Sequence, residues 1–397
     1  MRRMTALLIA AVATFLGPAA QAQTRFETFV AGLKPEARAA GVSDATFDAA
    51  LAGISADPKV IDLARAQPEF SQPMGAYVTG RVNGARIAQG RKMAETWKPW
   101  LDNIEKAYGV DRYTILAIWA MESNFGASSG GSDIIRSLAT LACCTTRRPD
   151  YFRAELLAAL KILEAHDTTA RSMTGSWAGA LGQTQFMPSS FLKYAADADG
   201  HGRRDIWRSA PDALASIANY LASHGWDRMA RWGFEVRLPR DFAFDQITAH
   251  EGQPVAAWVR LGVARADGSP FPNDAAKAWL LLPAGADGPA FLTLENYWGI
   301  KTYNISDSYT LSVGHLADRI RGAGTLAGRW PGDKPPSRIQ LEAMQKRLHA
   351  LGFPIGKIDG KVGPSTRAAV RAWQVSVGLK ADGYATVPLL RRMGALP

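Results

Sequence analysis

The alternation of apolar and polar residues predicts helix over most of the chain. Ala, Leu, Arg and Lys dominate a helical stretch from about Phe26 to Tyr108. The strongest helix runs from Arg112 to Asn124, with Asp111 as its expected N-cap. Further helices are expected from Asp150 to about His166, Pro188 to Ala196 and Pro211 to His224. In the last two, a proline takes the first-turn position it prefers. The pattern changes between about 234 and 294. Short alternating runs such as Phe234-Glu235-Val236-Arg237-Leu238 are separated by turn clusters such as Ala266-Asp267-Gly268-Ser269-Pro270, which predicts a small strand-rich insertion. Helix returns from Asp307 to Arg321. Four glycines and three prolines then mark residues 322–337 as a linker. Beyond it, Gln340 to Met393 has room for three short helices, a unit with little core of its own. The expected fold class is mainly α with a small β-containing insertion.

Composition adds an address. Arg2 and Arg3, the apolar run Leu7 to Leu16 and the small-x-small site Ala20-Gln21-Ala22 read as a cleaved secretory signal over residues 1–22. The run is shorter than the ~20 residues of a membrane span, so an integral membrane protein is not expected. The net charge is +10, or +8 once Arg2 and Arg3 are removed, which favours acidic polymers as partners. Nucleic acid, anionic lipid and the cell wall are the candidates, secretion makes nucleic acid the least apt of them, and the charge could equally serve solubility alone. The two cysteines, Cys143 and Cys144, are adjacent. A disulfide between neighbours would strain the backbone, so two buried thiols are expected.

The candidate chemistry begins at Glu122. Ile115, Ile118 and Trp119 form an apolar stripe whose next position is Glu122, placing its carboxyl on the buried side. Burial favours the neutral form, as a general acid requires. The stripe alone serves equally well a buried Glu paired with an arginine or a helix terminus. A second cluster, Gly175 to Pro188, is rich in Gly and Ala and permits close approach to its backbone. Within it Gln185 offers donors and an acceptor, and Trp177 and Phe186 could face sugar rings. Asp133 is the next acidic residue after Glu122 and stays open as a second carboxyl. Gly126-Ala127-Ser128-Ser129-Gly130 matches a serine-hydrolase elbow, but a helix precedes it where that motif needs a strand. His250-Glu251 lacks the second histidine of a zinc helix.

Several ordered motifs carry a resemblance. Met121-Glu122-Ser123-Asn124-Phe125-Gly126 is followed by Ala178-Gly179-Ala180-Leu181-Gly182-Gln183-Thr184-Gln185-Phe186-Met187-Pro188. Arg147-Arg148-Pro149-Asp150-Tyr151-Phe152, Ala218-Asn219-Tyr220-Leu221 and Tyr303-Asn304-Ile305-Ser306-Asp307-Ser308-Tyr309 add to them. Together they resemble the lytic murein transglycosylases of the membrane-bound lytic transglycosylase B family, over about Phe26 to Arg321. The resemblance implies a lysozyme-like helical catalytic domain within residues 23–321, with Glu122 as its catalytic residue. It implies sugar contacts at Gln185 and Ser176, and cleft positions at Tyr77, Arg147, Arg148, Tyr220, Tyr303, Asn304 and Tyr309. It also implies cleavage of peptidoglycan between N-acetylmuramic acid and N-acetylglucosamine to leave 1,6-anhydro ends. A goose-type lysozyme-like hydrolase, or a wall-binding protein without activity, are the alternatives.

Some relatives carry a calcium loop where this chain has Asp197, Asp199 and Asp205. Here His201 and Arg208 replace two anionic ligands, so no cofactor is expected and the loop reads as a turn held by aspartates. Residues 338–397, with Asp359-Gly360, Trp373-Gln374 and Asp382-Gly383, resemble a small peptidoglycan-binding domain of three helices. Its Leu348, Leu351, Val370 and Trp373 read as core. The N-terminal signal implies a periplasmic protein, the resemblance implies action on glycan strands, and a monomer is expected.

Overall fold

The computed structural model describes residues 18–66, 72–244, 252–332 and 334–397. The charged and apolar parts of the expected signal, and His250-Glu251, lie outside the described residues. The first helix, Pro18–Ala39, begins inside the segment expected to be cleaved. The chain divides into two interleaved units. One takes the residues up to Ala66, Gly130–Leu181 and Phe186–Leu192; the other takes Gln67–Ser129, Gly182–Gln185 and Lys193–Pro397.

The first unit is built on the helix pair Ile134–Cys144 and Pro149–Glu164, joined by Pro18–Ala39. Phe26, Leu33, Ile134, Leu138, Leu156 and Phe191 are fully buried in it. Asp133, open in the sequence as a second carboxyl, is an N-cap here, its side chain accepting from Arg136 N. Cys143 and Cys144 form a disulfide with Cα atoms 3.8 Å apart, contrary to the expected thiols. The pair closes its helix, and Thr145 leaves in extended geometry.

In the second unit the helix Arg112–Ser123 is the centre. Asp111 caps it as expected, accepting from Tyr113 N and Thr114 N. The sequence suggests one buried stripe, but every residue from Thr114 to Ala120 is buried. Such all-round burial marks a helix packed on all sides. Helices Gly84–Thr96, Lys98–Tyr108, Ala210–Ser223 and Asp307–Arg321 surround it. A five-stranded antiparallel sheet is built from Gly233–Arg237, Gln253–Pro254, Ala264–Arg265, Lys277–Leu281 and Ala290–Thr293. Gly233–Arg237 pairs with Ala290–Thr293 in the register Phe234 to Leu292. Phe234, Val236, Trp258 and Leu292 form the sheet's own core.

The C-terminal segment has three helices, Arg338–Ala350, Pro364–Ser376 and Val387–Arg392. Leu348, Val370 and Trp373 are core, but Leu351 is 40% exposed, because it caps the first helix and points away from the bundle. One device occurs twice. Buried Gln345 accepts from the backbone N–H groups of Asp359 and Gly360, and buried Gln374 accepts from that of Gly383. Each glutamine thus holds an Asp-Gly turn whose glycine has positive φ. The linker is strapped down. Glu235 accepts from Ala327 N and Gly328 N, and Trp330 packs so closely on Gly75 that a Cβ there would lie 2.7 Å from its ring.

Candidate active site

Glu122 occupies the last turn of the central helix. Asn124, Phe125 and Gly126 then take φ values of 51°, 60° and 81°, three consecutive left-handed residues. For a residue as large as Phe this conformation is strained, and strain of this kind collects at functional sites. It ends the helix abruptly and leaves the carboxyl at a half-buried mouth. Buried Gln183 holds the arrangement: its Oε1 accepts from Trp119 Nε1 at 2.9 Å and its Nε2 donates to Trp207 O at 3.2 Å. A Cβ on Gly126 would come within 2.5 Å of that oxygen, so glycine is required by space as well as by φ.

Tyr309, on the helix Asp307–Arg321, donates to Glu122 Oε1 at 2.6 Å. Burial pushes the Glu122 carboxyl up to about 7, opposed by the Tyr309 hydrogen bond and the nearby positive charge of Arg81. Near neutral pH, Glu122 is therefore divided between acid and carboxylate, matching a group that must first give a proton and then take one. Among the described residues, the charge that acts on it is cationic Arg81 and not a second carboxylate.

A tyrosine cluster adjoins. Tyr303, at the end of the helix Glu295–Tyr303, donates to Thr184 O at 2.7 Å. Tyr220 donates to Thr302 O at 2.7 Å, and its ring lies 4.8 Å from Tyr303 and 4.1 Å from His224, stacked on the latter. Burial and the Glu122 charge hold the Tyr303 and Tyr309 phenols well above their usual range, so both stay protonated donors. Tyr77 carries the Arg81 guanidinium 5.3 Å from its ring centroid, and its phenol is raised by burial and also feels Glu122.

Gln185 has φ 53°, and its Nε2 donates to Ser129 O and Gly182 O, both at 2.9 Å. Its donors are spent on backbone, leaving its carbonyl oxygen for a ligand. Asn304 is exposed, its side chain accepting from Ser306 N. Ser176, Arg147 and Arg148 belong to the other unit. There the Ser176 hydroxyl accepts from Ala180 N, Arg148 stacks 3.9 Å over Tyr151, and Arg147 is exposed. Phe186, suggested as a sugar platform, is buried at 3% exposure, since its backbone pairs with Leu181 and turns the ring into the core.

The aspartate loop differs from the sequence reading. Oxygens of Asp197, Asp199 and Asp212 lie within 4.8 Å of one another, and Asp205 is not in the group. Asp205 instead accepts from Trp207 N and Arg208 N. Asp197 accepts from the N–H groups of Gly200, His201 and Gly202, and Asp212 from those of Ala198, Asp199 and Asp205. These carboxylates already have the partners that close the turn. Asp212 lies beyond the twelve-residue window of a calcium loop, so that motif could not have found it. Gln183 and Arg81 were also missed. A Gln inside a Gly-Ala loop and an Arg near a helix end carry no sequence signal for their contacts.

A helical domain around a buried helix that ends in an acidic side chain, with a small sheet inserted, defines the lysozyme-like class. The chain belongs to the transglycosylase SLT domain family, whose sequence profile matches residues 25–318. The profile described as "Putative peptidoglycan binding domain" matches residues 337–393. The membrane-bound lytic murein transglycosylase B of Escherichia coli strain K12 is 32% identical over 258 residues, 63% of this chain and 69% of that protein. The crystal structure of SltB3 from Pseudomonas aeruginosa in complex with NAG-anhNAM-pentapeptide superposes with a TM-score of 0.89. It is 45% identical and covers 93% of this chain and 99% of that one. Soluble lytic transglycosylase SltB1 of the same organism is 28% identical with a TM-score of 0.64, covering 76% of this chain and 100% of that one. No helix among the described residues is long and apolar enough to cross a membrane.

Proposed function

We propose that this protein is a lytic transglycosylase that cleaves the β-1,4 bond between N-acetylmuramic acid and N-acetylglucosamine in peptidoglycan, with Glu122 as acid and then base. The observation that carries the reading is a single carboxyl held near neutrality by burial and bonded to a phenol. A glycosidase with two carboxyls would place the second about 5–10 Å away, where it would act on the first. Here the charge acting on Glu122 is Arg81.

The steps follow from that economy. Protonated Glu122 gives its proton to the glycosidic oxygen as the bond from C1 to that oxygen breaks, and the N-acetylglucosamine side leaves with a hydroxyl. The substrate's own acetamide stabilises the electron-poor C1 in place of a second carboxylate. The Glu122 carboxylate, held by Tyr309, then takes the proton of the C6 hydroxyl while O6 bonds to C1. The ring closes as a 1,6-anhydro sugar, no water is consumed, and Glu122 is protonated again. Tyr77, Tyr220, Tyr303, Asn304 and the Gln185 carbonyl are assigned to sugar contacts. Ser176, Arg147 and Arg148 are assigned by family position.

No cofactor enters these steps. Export by the N-terminal signal, action in the periplasm and a monomeric state complete the reading, supported by the terminal sequence and by relatives named for murein.

The test is mass spectrometry of soluble fragments released from purified peptidoglycan. Anhydro ends from the parent and none from Glu122→Gln are expected. Fragments one water heavier, with reducing ends, would make the protein a hydrolase. No release at any pH would leave it a binding protein.

A further inference from the structure

A groove of about 590 Å³ opens between the inserted sheet, the helix Glu295–Tyr303 and the C-terminal segment. One wall is aromatic. Trp279 and Trp298 meet edge to face with centroids 5.5 Å apart, and Trp298 is 39% exposed, unusual for so large an apolar ring. The other wall is cationic, with Lys361, Arg367 and Arg371 from the C-terminal segment.

Among the described residues, the acids in the groove make no ion pair with those cations. Asp307 accepts from Tyr297 Oη at 2.8 Å and from Lys301 Nζ at 2.5 Å. Asp382 accepts from Gln374 Nε2, Ala286 N and Tyr384 N. Arg367 has a single long bond, to Leu282 O at 3.4 Å. Among the described residues, Arg371 and Lys361 have no ion pair. Burial and the neighbouring Arg367 hold Arg371 below its usual range, opposed by the charge of Asp382. The part-exposed Trp298 indole, together with guanidinium groups that have no ion pair, fits a ligand with flat apolar sugar faces and carboxylates.

We propose that this groove, whose lining does not include Glu122, is a further peptidoglycan site, binding a disaccharide with its sugar on Trp298 and its stem-peptide carboxylates on Arg371 and Lys361. The proposal rests on the peptidoglycan reading above and gives the C-terminal segment a role that requires the sheet beside it. Neither wall is complete alone. The aromatic wall lies at 279–298 and the cationic wall at 361–371, so neither the family domain at 337–393 nor the sheet contains the whole site.

The test uses the full chain in a Glu122→Gln background, which cannot cut what it binds. Co-sedimentation with purified sacculi is compared for that parent and for its Trp298→Ala and Arg371→Ala derivatives, with GlcNAc–MurNAc-pentapeptide as competitor. A loss of roughly five- to tenfold in each, largely regained in Trp298→Phe and Arg371→Lys, is expected, since each lost contact is worth about 1–1.5 kcal/mol. Catalysis on a short peptide-free glycan by the same substitutions in the active enzyme should stay within twofold of the wild type. Binding within twofold of the parent in either alanine derivative, with thermal midpoints unchanged, overturns the proposal. Failure of the parent itself to sediment with sacculi strikes the peptidoglycan reading instead.

Discussion

At the residue scale the protein turns on the Glu122–Tyr309 pair. The carboxyl is raised to about 7 from an ordinary value of 4.5. A raised carboxyl means that the folded state binds the proton more tightly than the unfolded chain. Stability is therefore fullest below pH 4.5 and is lost as pH rises through about 7. Glu122→Gln removes the charge that burial penalises. Urea melts at pH 8 should show the variant more stable by roughly 2 kcal/mol, with the difference vanishing near pH 4. Activity should fall above about pH 7 as the proton donor is lost. Tyr309→Phe removes the bond that favours the carboxylate, so that descending limb should move to higher pH. Its kcat should drop by roughly ten- to a hundredfold, because the second step needs the carboxylate. A limb that stays in place would mean that Tyr309 does not touch the titration. The burial of Glu122 was legible because one apolar stripe pointed to it, but the stripe left its role open and only the family resemblance assigned one. Its partner was not: Tyr309 lies 187 residues away, and only the family resemblance drew attention to it.

At the element scale the informative feature is the left-handed run after Glu122 and the glutamine beneath it. Gly126→Ala would combine an unfavourable φ with displacement of the Gln183 side chain, and should cost about 2 kcal/mol in thermal or urea unfolding. Gln183→Met keeps volume but leaves buried Trp119 Nε1 without its acceptor, for roughly 1–3 kcal/mol. Both should reduce activity beyond their effect on stability, because the same contact fixes the helix end that carries Glu122. The aspartate loop allows a further check. With its carboxylates already bonded to backbone, excess calcium or a chelator should leave the thermal midpoint unchanged, and a rise of several degrees in calcium would make the loop a metal site. Helices were legible to within a residue or two where periodicity and caps agreed, as with Asp111 before Arg112–Ser123. The vicinal disulfide was not. The sequence shows that two cysteines are adjacent, but not that they fall at a helix end.

At the scale of the whole molecule the chain passes between its two units five times, while the last three helices carry a core of their own. A break after Ser337 would remove the cationic wall of the groove and leave the Glu122 core untouched. The shortened protein should keep its rate on short glycans and lose binding to sacculi. Equal losses on both substrates would show instead that the C-terminal segment supports the catalytic fold. The three-helix arrangement of this segment was readable from its turns. Its contact with the sheet through Arg367 and Asp382 was not, because those residues look like ordinary surface charge.

The interleaved path also sets a clock. A chain delivered N-terminus first presents Glu122 early, but the phenol that holds it sits at 309 and the loop that braces its helix at 182–185. The first unit cannot close before Phe186–Leu192 has emerged. Until then the carboxyl sits in water as an ordinary ionised glutamate, unable to donate a proton. On the proposed mechanism the capacity to cut therefore arises late, and a chain that ends before Tyr309 lacks it.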